Sequence, residues 1–205
     1  MNKPKPQIRF KYGWLLAEVT ADALNRKNDS TRPLGTYDEL ISITKKYEAW
    51  WTPYNDQVVE GICNILSLDF KQNIIDVYVS PWFTPISDPL VIGPAFESQD
   101  KLICTIAHEL IHRILTDNTS VDSNRDLLRD WENAFGNDHD KKMLVHIPVH
   151  AVLKQLYSKV MSRPDLLKLD ISSTKGNQPY ADAWDYVQSH DHNRIIEALS
   201  ISKSS

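Results

Sequence analysis

The chain has 205 residues, 41% of them hydrophobic and 24% charged, with a formal net charge of −4. That is the composition of an ordinary globular protein with enough apolar material for a real core, and the length fits one domain over residues 1–205. No stretch approaches the length of a membrane span, and no Lys/Arg run stands out beyond Lys3, Lys5, Arg9 and Lys11, so neither a membrane nor a nucleic-acid partner is expected.

Residues 1–7 form a polar lead with Pro4 and Pro6 and are expected to be disordered. The lead has no apolar segment of the secretory kind. The chain holds two cysteines, Cys63 and Cys104, both in apolar helical pattern, which suits buried thiols in a reducing compartment. The expected location is therefore cytoplasmic, unless the chain is cut from a larger secreted one. Ile8 to Ala17 fits either a strand or a short helix. Thr36 and Glu39 form a capping box, which places a helix from about Tyr37 to Trp51, ending before Pro53. Asn55 or Asp56 caps a second helix through about Leu66. Asn73 to Ser80 is rich in β-branched residues and reads as a strand. Asp88 to Phe96 offers a second strand, and its prolines make it an edge strand or a plain loop.

The next segment carries the chemistry. Ser98 is a good N-cap, Asp100 sits in the first turn, and Asp117–Asn118 marks the exit of a helix about five turns long. Within it lies His108-Glu109-Leu110-Ile111-His112. Residues four apart lie one turn above each other on a helix. Both imidazoles can thus reach one metal ion, and Glu109 between them is placed to act as general base on a water that the metal activates. On a helical wheel Ile103, Ile106, Ala107, Leu110, Ile111 and Ile114 cluster opposite the His pair. Cys104, Thr105 and Leu115 border the pair, where a solvated face would carry Lys, Glu and Gln. The expectation is an apolar face on the body of the protein and a His face on a cleft. Cys104, one turn before His108, reads as a small buried apolar residue.

The run from Thr105 to Arg113 resembles the active-site helix of the zincin metallopeptidases, and the short chain resembles their minimal, single-domain form, the minigluzincins. The resemblance implies that His108 and His112 are zinc ligands and that Glu109 is the general base. It also implies that an edge strand just before this helix lines the cleft and pairs with an extended peptide, for which Leu90 to Ala95 is the candidate. A catalytic zinc needs a third protein ligand and an open position. Glu132 lies twenty residues after His112. It sits on a helix capped by Ser123 and stopped by Gly136, at the edge of an apolar side made of Leu127, Leu128, Trp131 and Phe135. That separation resembles the gluzincins. The chain departs from their pattern, however: it has no Asn just before the Glu, and Gly136 stands where they carry an Asp.

His146 and His150, again four apart, are the other candidates. Val145, Val149, Leu153, Leu156 and Val160 mark the buried side of their segment. His146 borders that side, whereas His150 points toward Lys154 and the surface. Pro148 suits only a first helical turn or a kink. The order of preference for the third ligand is His146, then Glu132, then His150. With His146 on the metal, His150 or Tyr157 becomes a candidate donor to the oxyanion of the reaction. His139, His190 and His192 read as surface residues.

Ser162 to Asp165 breaks the chain, and residues 162–205 read as a C-terminal helical extension. Pro179 opens a helix through about Ser189, and a last helical piece runs from Arg194 to Ile201. The group Asp182, Trp184 and Asp185 looks like an ordinary amphipathic helix. The fold class expected is α+β: zincin-like, mostly helical, with a small N-terminal sheet beside the active-site helix. The function expected is that of a Zn2+-dependent peptidase acting on a peptide or protein. The alternatives are a regulatory protease with a single protein target and a binding protein whose metal is structural or absent. An intact Glu109 favours catalysis, because a structural site needs only ligands, usually four of them. The sequence sets no substrate, cleavage preference or oligomeric state.

Overall fold

In a computed structural model the protein is an α+β fold, described over residues 5–25, 36–81, 83–118 and 124–201. The side chains of residues 21–25, 124–127, 200 and 201 are outside that description. Strands β1 (Gln7–Tyr12), β2 (Ile74–Val79), β3 (Ile86–Ser87) and β4 (Leu90–Ile92) form one sheet in the order β1-β2-β4-β3. The pairs β1–β2 and β2–β4 are parallel, and β3–β4 is antiparallel. The segment from Ile8 to Ala17 uses both of its options in turn. It begins in β1 and continues, after Gly13, as helix α1 (Trp14–Asn25). Gln7, the end of the polar lead, already pairs with Ile74, while residues 1–4 lie outside the described residues.

The sheet has one apolar face. Ile8 pairs with Ile75 and Phe10 with Val77, and all four are buried. Each such side chain is worth about 1.5–3 kcal/mol on burial. On the other face Asp76 takes both Arg9, at 2.8 Å, and Lys11, at 2.6 Å. This alternation fixes the register, because a slip by one residue would turn Asp76 into the core.

The expected edge strand is an interior one. β4 lies between β2 and β3, and all three of its residues are fully buried. Its two prolines flank the strand, and the turn at Asp88–Pro89 folds Ile86–Ser87 back over the edge. The outer strand β3 is poorly equipped to pair with another chain. It has two residues and follows Pro85, which lacks an N–H, and its Ser87 carbonyl accepts from Arg113 Nη1 at 3.0 Å.

Helix α2 (Tyr37–Trp51) starts on the capping box: Thr36 Oγ1 accepts from the Glu39 N–H at 3.2 Å, and Glu39 Oε2 accepts from the Thr36 N–H at 2.7 Å. A short 3₁₀ turn at Thr52–Tyr54 leads into α3 (Asn55–Leu66). Helix α4 (Gln99–Asp117) begins at Ser98, whose Oγ accepts from the Lys101 N–H at 3.3 Å. It is buried on nearly every side: Leu102, Cys104 and Leu115 are enclosed together with the expected apolar face. Thr105, His108 and His112, on the side expected to line a cleft, are half-buried, and helices of the C-terminal half pack on α4.

The C-terminal half holds α5 (Asn124–Phe135), α6 (Lys141–Gln155), α7 (Pro164–Thr174), α8 (Gln178–Ser189) and α9 (His192–Ile201), of which α6 and α7 pack on α4. The expected cap of α5, Ser123, lies outside the described residues, and so does the side chain of Leu127. The helix stops at Gly136, whose φ of 113° suits only glycine. α6 is the centre of this half and packs against α3, α4, α5, α8 and α9. Pro148 lies in its interior, about two turns from the start, where it removes the hydrogen bond to the Leu144 carbonyl. After Gln155 the helix widens into a π-helical turn, Leu156–Val160, closed by the Met161 N–H on the Leu156 carbonyl at 2.9 Å. Among the described residues no helix is long and apolar enough to cross a membrane.

Gly61 of α3 is where this π-helical turn makes its closest approach. A Cβ there would stand 2.6 Å from Leu156 Cδ1 and 3.0 Å from Val160 Cγ1. Leu156 is fully buried and has no room to swing aside. Gly61→Val is therefore expected to cost roughly 2–3 kcal/mol through overpacking. A urea unfolding curve checks this, and an unchanged midpoint would refute the close packing of α3 on this turn.

Candidate metal centre

The i, i+4 spacing on α4 brings His108 Nε2 to 3.1 Å from His112 Nε2. His146 of α6 adds its Nε2 at 3.3 Å from that of His112. The ligand atoms of the three residues all lie within 4.8 Å of one another. At ordinary zinc–nitrogen bond lengths, two ligands of a tetrahedral ion stand about 3.3 Å apart. Three imidazole nitrogens at such separations can satisfy one another only in part by hydrogen bonds, since each neutral ring has a single N–H. Their convergence is what a metal ion requires. The structure thus brings together the pair given by the motif and the favoured third residue. Glu132 is half-buried on α5 and is not part of the group. Cys104 is also outside it, with its Sγ turned to the Leu166 carbonyl at 3.8 Å.

The surroundings hold the rings in the ligating form. His146 donates from Nδ1 to the Lys142 carbonyl at 2.5 Å, which leaves the lone pair on Nε2, facing the group. Burial is the main reason that His108 and His112 resist protonation, the latter down to about 3, and their neighbouring histidines add to the effect. Burial likewise lowers His146, against the hydrogen bond to Lys142. Neutral imidazole is the form that binds metal. Glu109 is 8% exposed, and burial pushes its carboxyl up to about 7.

Two residues that sequence alone misjudged complete the surroundings. His150 is fully buried rather than directed to the surface, and among the described residues neither of its ring nitrogens has a hydrogen-bond partner. Its ring centroid lies 5.9 Å from that of His108 and 5.7 Å from that of His146. Tyr157, offered by the sequence as an oxyanion donor, is equally buried, but its hydroxyl goes to Asp170 Oδ2 at 3.2 Å. The error at His150 has a plain cause. α6 is enclosed along almost all of Met143–Leu153, so that stretch has no solvent face for a wheel to find.

α8 supplies a wall that the sequence did not signal. The Tyr180 ring packs on His146 at 3.8 Å and lies nearly parallel to His108, at 12° and 5.9 Å. The Trp184 ring stacks on His150 at 4.2 Å and 10°. Tyr180 and Trp184 are four apart, as are His146 and His150, so two packed helices match rung for rung. That shared spacing is the one cue the sequence held. His190 is exposed, while His139 and His192 are half-buried. His139 Nε2 faces the Phe135 carbonyl at 3.0 Å, at the end of α5.

Asp170 of α7 is the other buried acid. It is 5% exposed, and burial pushes its carboxyl up to about 7, against the hydrogen bond from Tyr157. The unfolded chain holds this proton with an ordinary aspartate value of about 3.9. The native state therefore binds the proton more tightly, so the contribution of Asp170 to stability is greatest in acid and is lost as pH rises toward 7. Comparing urea midpoints of wild type and Asp170→Asn at a series of pH values should show the wild type losing ground between about pH 4 and pH 7, by up to about 1.4 kcal/mol per pH unit. Parallel profiles would refute it.

Comparison of the chain with family models, curated proteins and solved structures found no match in any of the three.

Proposed function

We propose that the chain is a zinc-dependent metallopeptidase of zincin type, which hydrolyses peptide bonds with Glu109 as general base. The observation that carries the reading is the convergence of three neutral imidazoles, His108, His112 and His146, beside the buried carboxyl of Glu109. Among the described residues the group has three ligands rather than four, which leaves the open position that a hydrolytic site needs. A zinc ion there would supply a Lewis acid and bring the pKa of a bound water toward neutrality.

The residues of the chain do the rest. Glu109 takes one proton as the water oxygen attacks the carbonyl carbon, and returns a proton to the amine as the C–N bond breaks. Its burial suits this, because a carboxyl pushed up to about 7 both accepts and releases a proton near neutrality. His150 is held neutral by burial, so one ring nitrogen carries a hydrogen to donate. It donates to the carbonyl oxygen as charge gathers there, an interaction worth about 3 kcal/mol. The lack of any protein partner for either ring nitrogen supports this role.

The test is metal content followed by hydrolysis of a peptide library. Zinc bound near one per chain and cleavage abolished in Glu109→Gln would support the reading. Failure to take up zinc on titration would end it. His150→Gln should retain the metal and lose roughly 10²-fold in kcat. Full turnover in that variant would remove His150 from the mechanism.

A further inference from the structure

We propose that Tyr180 is the positioning residue of His108: seated on the His146 ring, its own ring takes the place of the hydrogen bond that usually orients a ligating histidine. The inference rests on the reading of His108, His112 and His146 as a metal centre. An imidazole turns easily about its outer side-chain torsion, which has only broad preferences. A ligating histidine is therefore commonly fixed by a hydrogen bond from the ring nitrogen that faces away from the metal. His146 has such a bond, from Nδ1 to the Lys142 carbonyl at 2.5 Å. His108 does not. Among the described residues its ring has one hydrogen-bonding contact, from Nε2 to Nε2 of His112 at 3.1 Å, and that nitrogen belongs to the group itself. The orientation of His108 must then come from packing.

Tyr180 supplies that packing. Its ring and that of His108 are nearly parallel, at 12°, with centroids 5.9 Å apart, which is offset stacking. Turning the imidazole would drive one of its edges toward the phenol face. The phenol ring is fixed in its turn. Its centroid is 3.8 Å from that of His146, so it rests on the one ring of the group that is tied to the backbone. Its own backbone stands in the first turn of α8, where the Tyr180 N–H donates to the Asn177 carbonyl at 3.0 Å, and α8 packs along α6, the helix of His146. His112 is held by the other two, since it stands edge-on to His108 at 61° and to His146 at 80°. Tyr54 and Tyr186, also half-buried, pack on the hydrophobic core. The half-buried Tyr180 is turned instead to the histidines: among the described residues its ring contacts are with His108, His146 and His150 alone.

The probe is Co2+ alone, titrated into the protein and followed by its visible bands, whose position and intensity report how the ligands are arranged around the ion. Tyr180→Leu removes the flat ring. It should weaken cobalt binding by about tenfold or more, as removal of a supporting hydrogen bond does at such sites, and it should alter the bands. Tyr180→Phe keeps the ring and should restore both to wild type. Tyr186→Leu is the control, because it removes a ring from the same helix on the core side. It should lower Tm and leave the affinity and the bands as in wild type. Where Tyr180→Leu does not fold, Tyr180→Met takes its place. Wild-type affinity and bands in Tyr180→Leu would overturn the proposal and leave the metal reading standing. An equal loss in Tyr180→Phe would assign the effect to the hydroxyl, and an equal loss in Tyr186→Leu to a general loosening of α8; either would also overturn it. A wild type that takes up no cobalt ends the metal reading, and this inference with it. If the pattern holds but no peptide is cut, the inference stands and the peptidase reading fails.

Discussion

Replacing Glu109 by Gln should lower peptide hydrolysis by about 10²–10⁴-fold while leaving the metal in place. The side chain is 8% exposed and sits beside His108 on α4. Gln fills nearly the same volume and adds no charge to the interior, so the helix and its neighbours have no reason to move. On the proposed mechanism, what is lost is the ability to take a proton from water and return it to the leaving amine. The variant should therefore bind substrate normally and fail in kcat. It should also be at least as stable as wild type at pH 8, because burial already disfavours the Glu109 carboxylate, with a value pushed up to about 7. Equal turnover in wild type and Glu109→Gln, with equal metal content, would mean that this carboxyl is not the base.

The second large effect concerns the metal itself. His146→Ala should lose metal affinity by more than the ~10–100-fold that removal of a supporting hydrogen bond costs at such sites. Glu132→Ala should retain it, since Glu132 is not part of the histidine group. Metal that binds only the folded state stabilises it by about 4 kcal/mol at a thousandfold excess over Kd. For a chain of this size that raises Tm by roughly 10 °C. The rise should be present in wild type and Glu132→Ala, and absent in His146→Ala and His108→Ala. Chelator competition and a melting curve with and without zinc measure both effects. A full shift in His146→Ala would return the third ligand to the other candidates.

Much of this protein could be read locally. The capping box at Thr36 and Glu39, the cap at Ser98 and the stop at Gly136 are each built from side chains or backbone within a few residues. The strand at Ile74–Val79 shows its alternation in its own residues, buried at Ile75, Val77 and Val79. The pair His108 and His112 belongs to the same class, because the pitch of one helix alone brings their Nε2 atoms to 3.1 Å. The edge-strand expectation failed at the same scale. Prolines at residues 89 and 94 looked like edge residues, but they lie outside the paired residues Leu90–Ile92.

The sequence by itself determined a helix that presents two histidines and a glutamate, and narrowed the third ligand to His146, Glu132 and His150. Only the tertiary structure grouped His146 with the pair, buried His150, gave the Tyr157 hydroxyl to Asp170, and set Tyr180 and Trp184 over the histidines. The physical reason lies in α6. A helix with solvent on one side advertises its inward face through its apolar spacing. One enclosed by α3, α4, α5, α8 and α9 is buried all round, and its spacing favours no direction. Which of its side chains meets α4, and which meets α8, depends on how separate helices pack, and that information is not held in any one stretch of the chain.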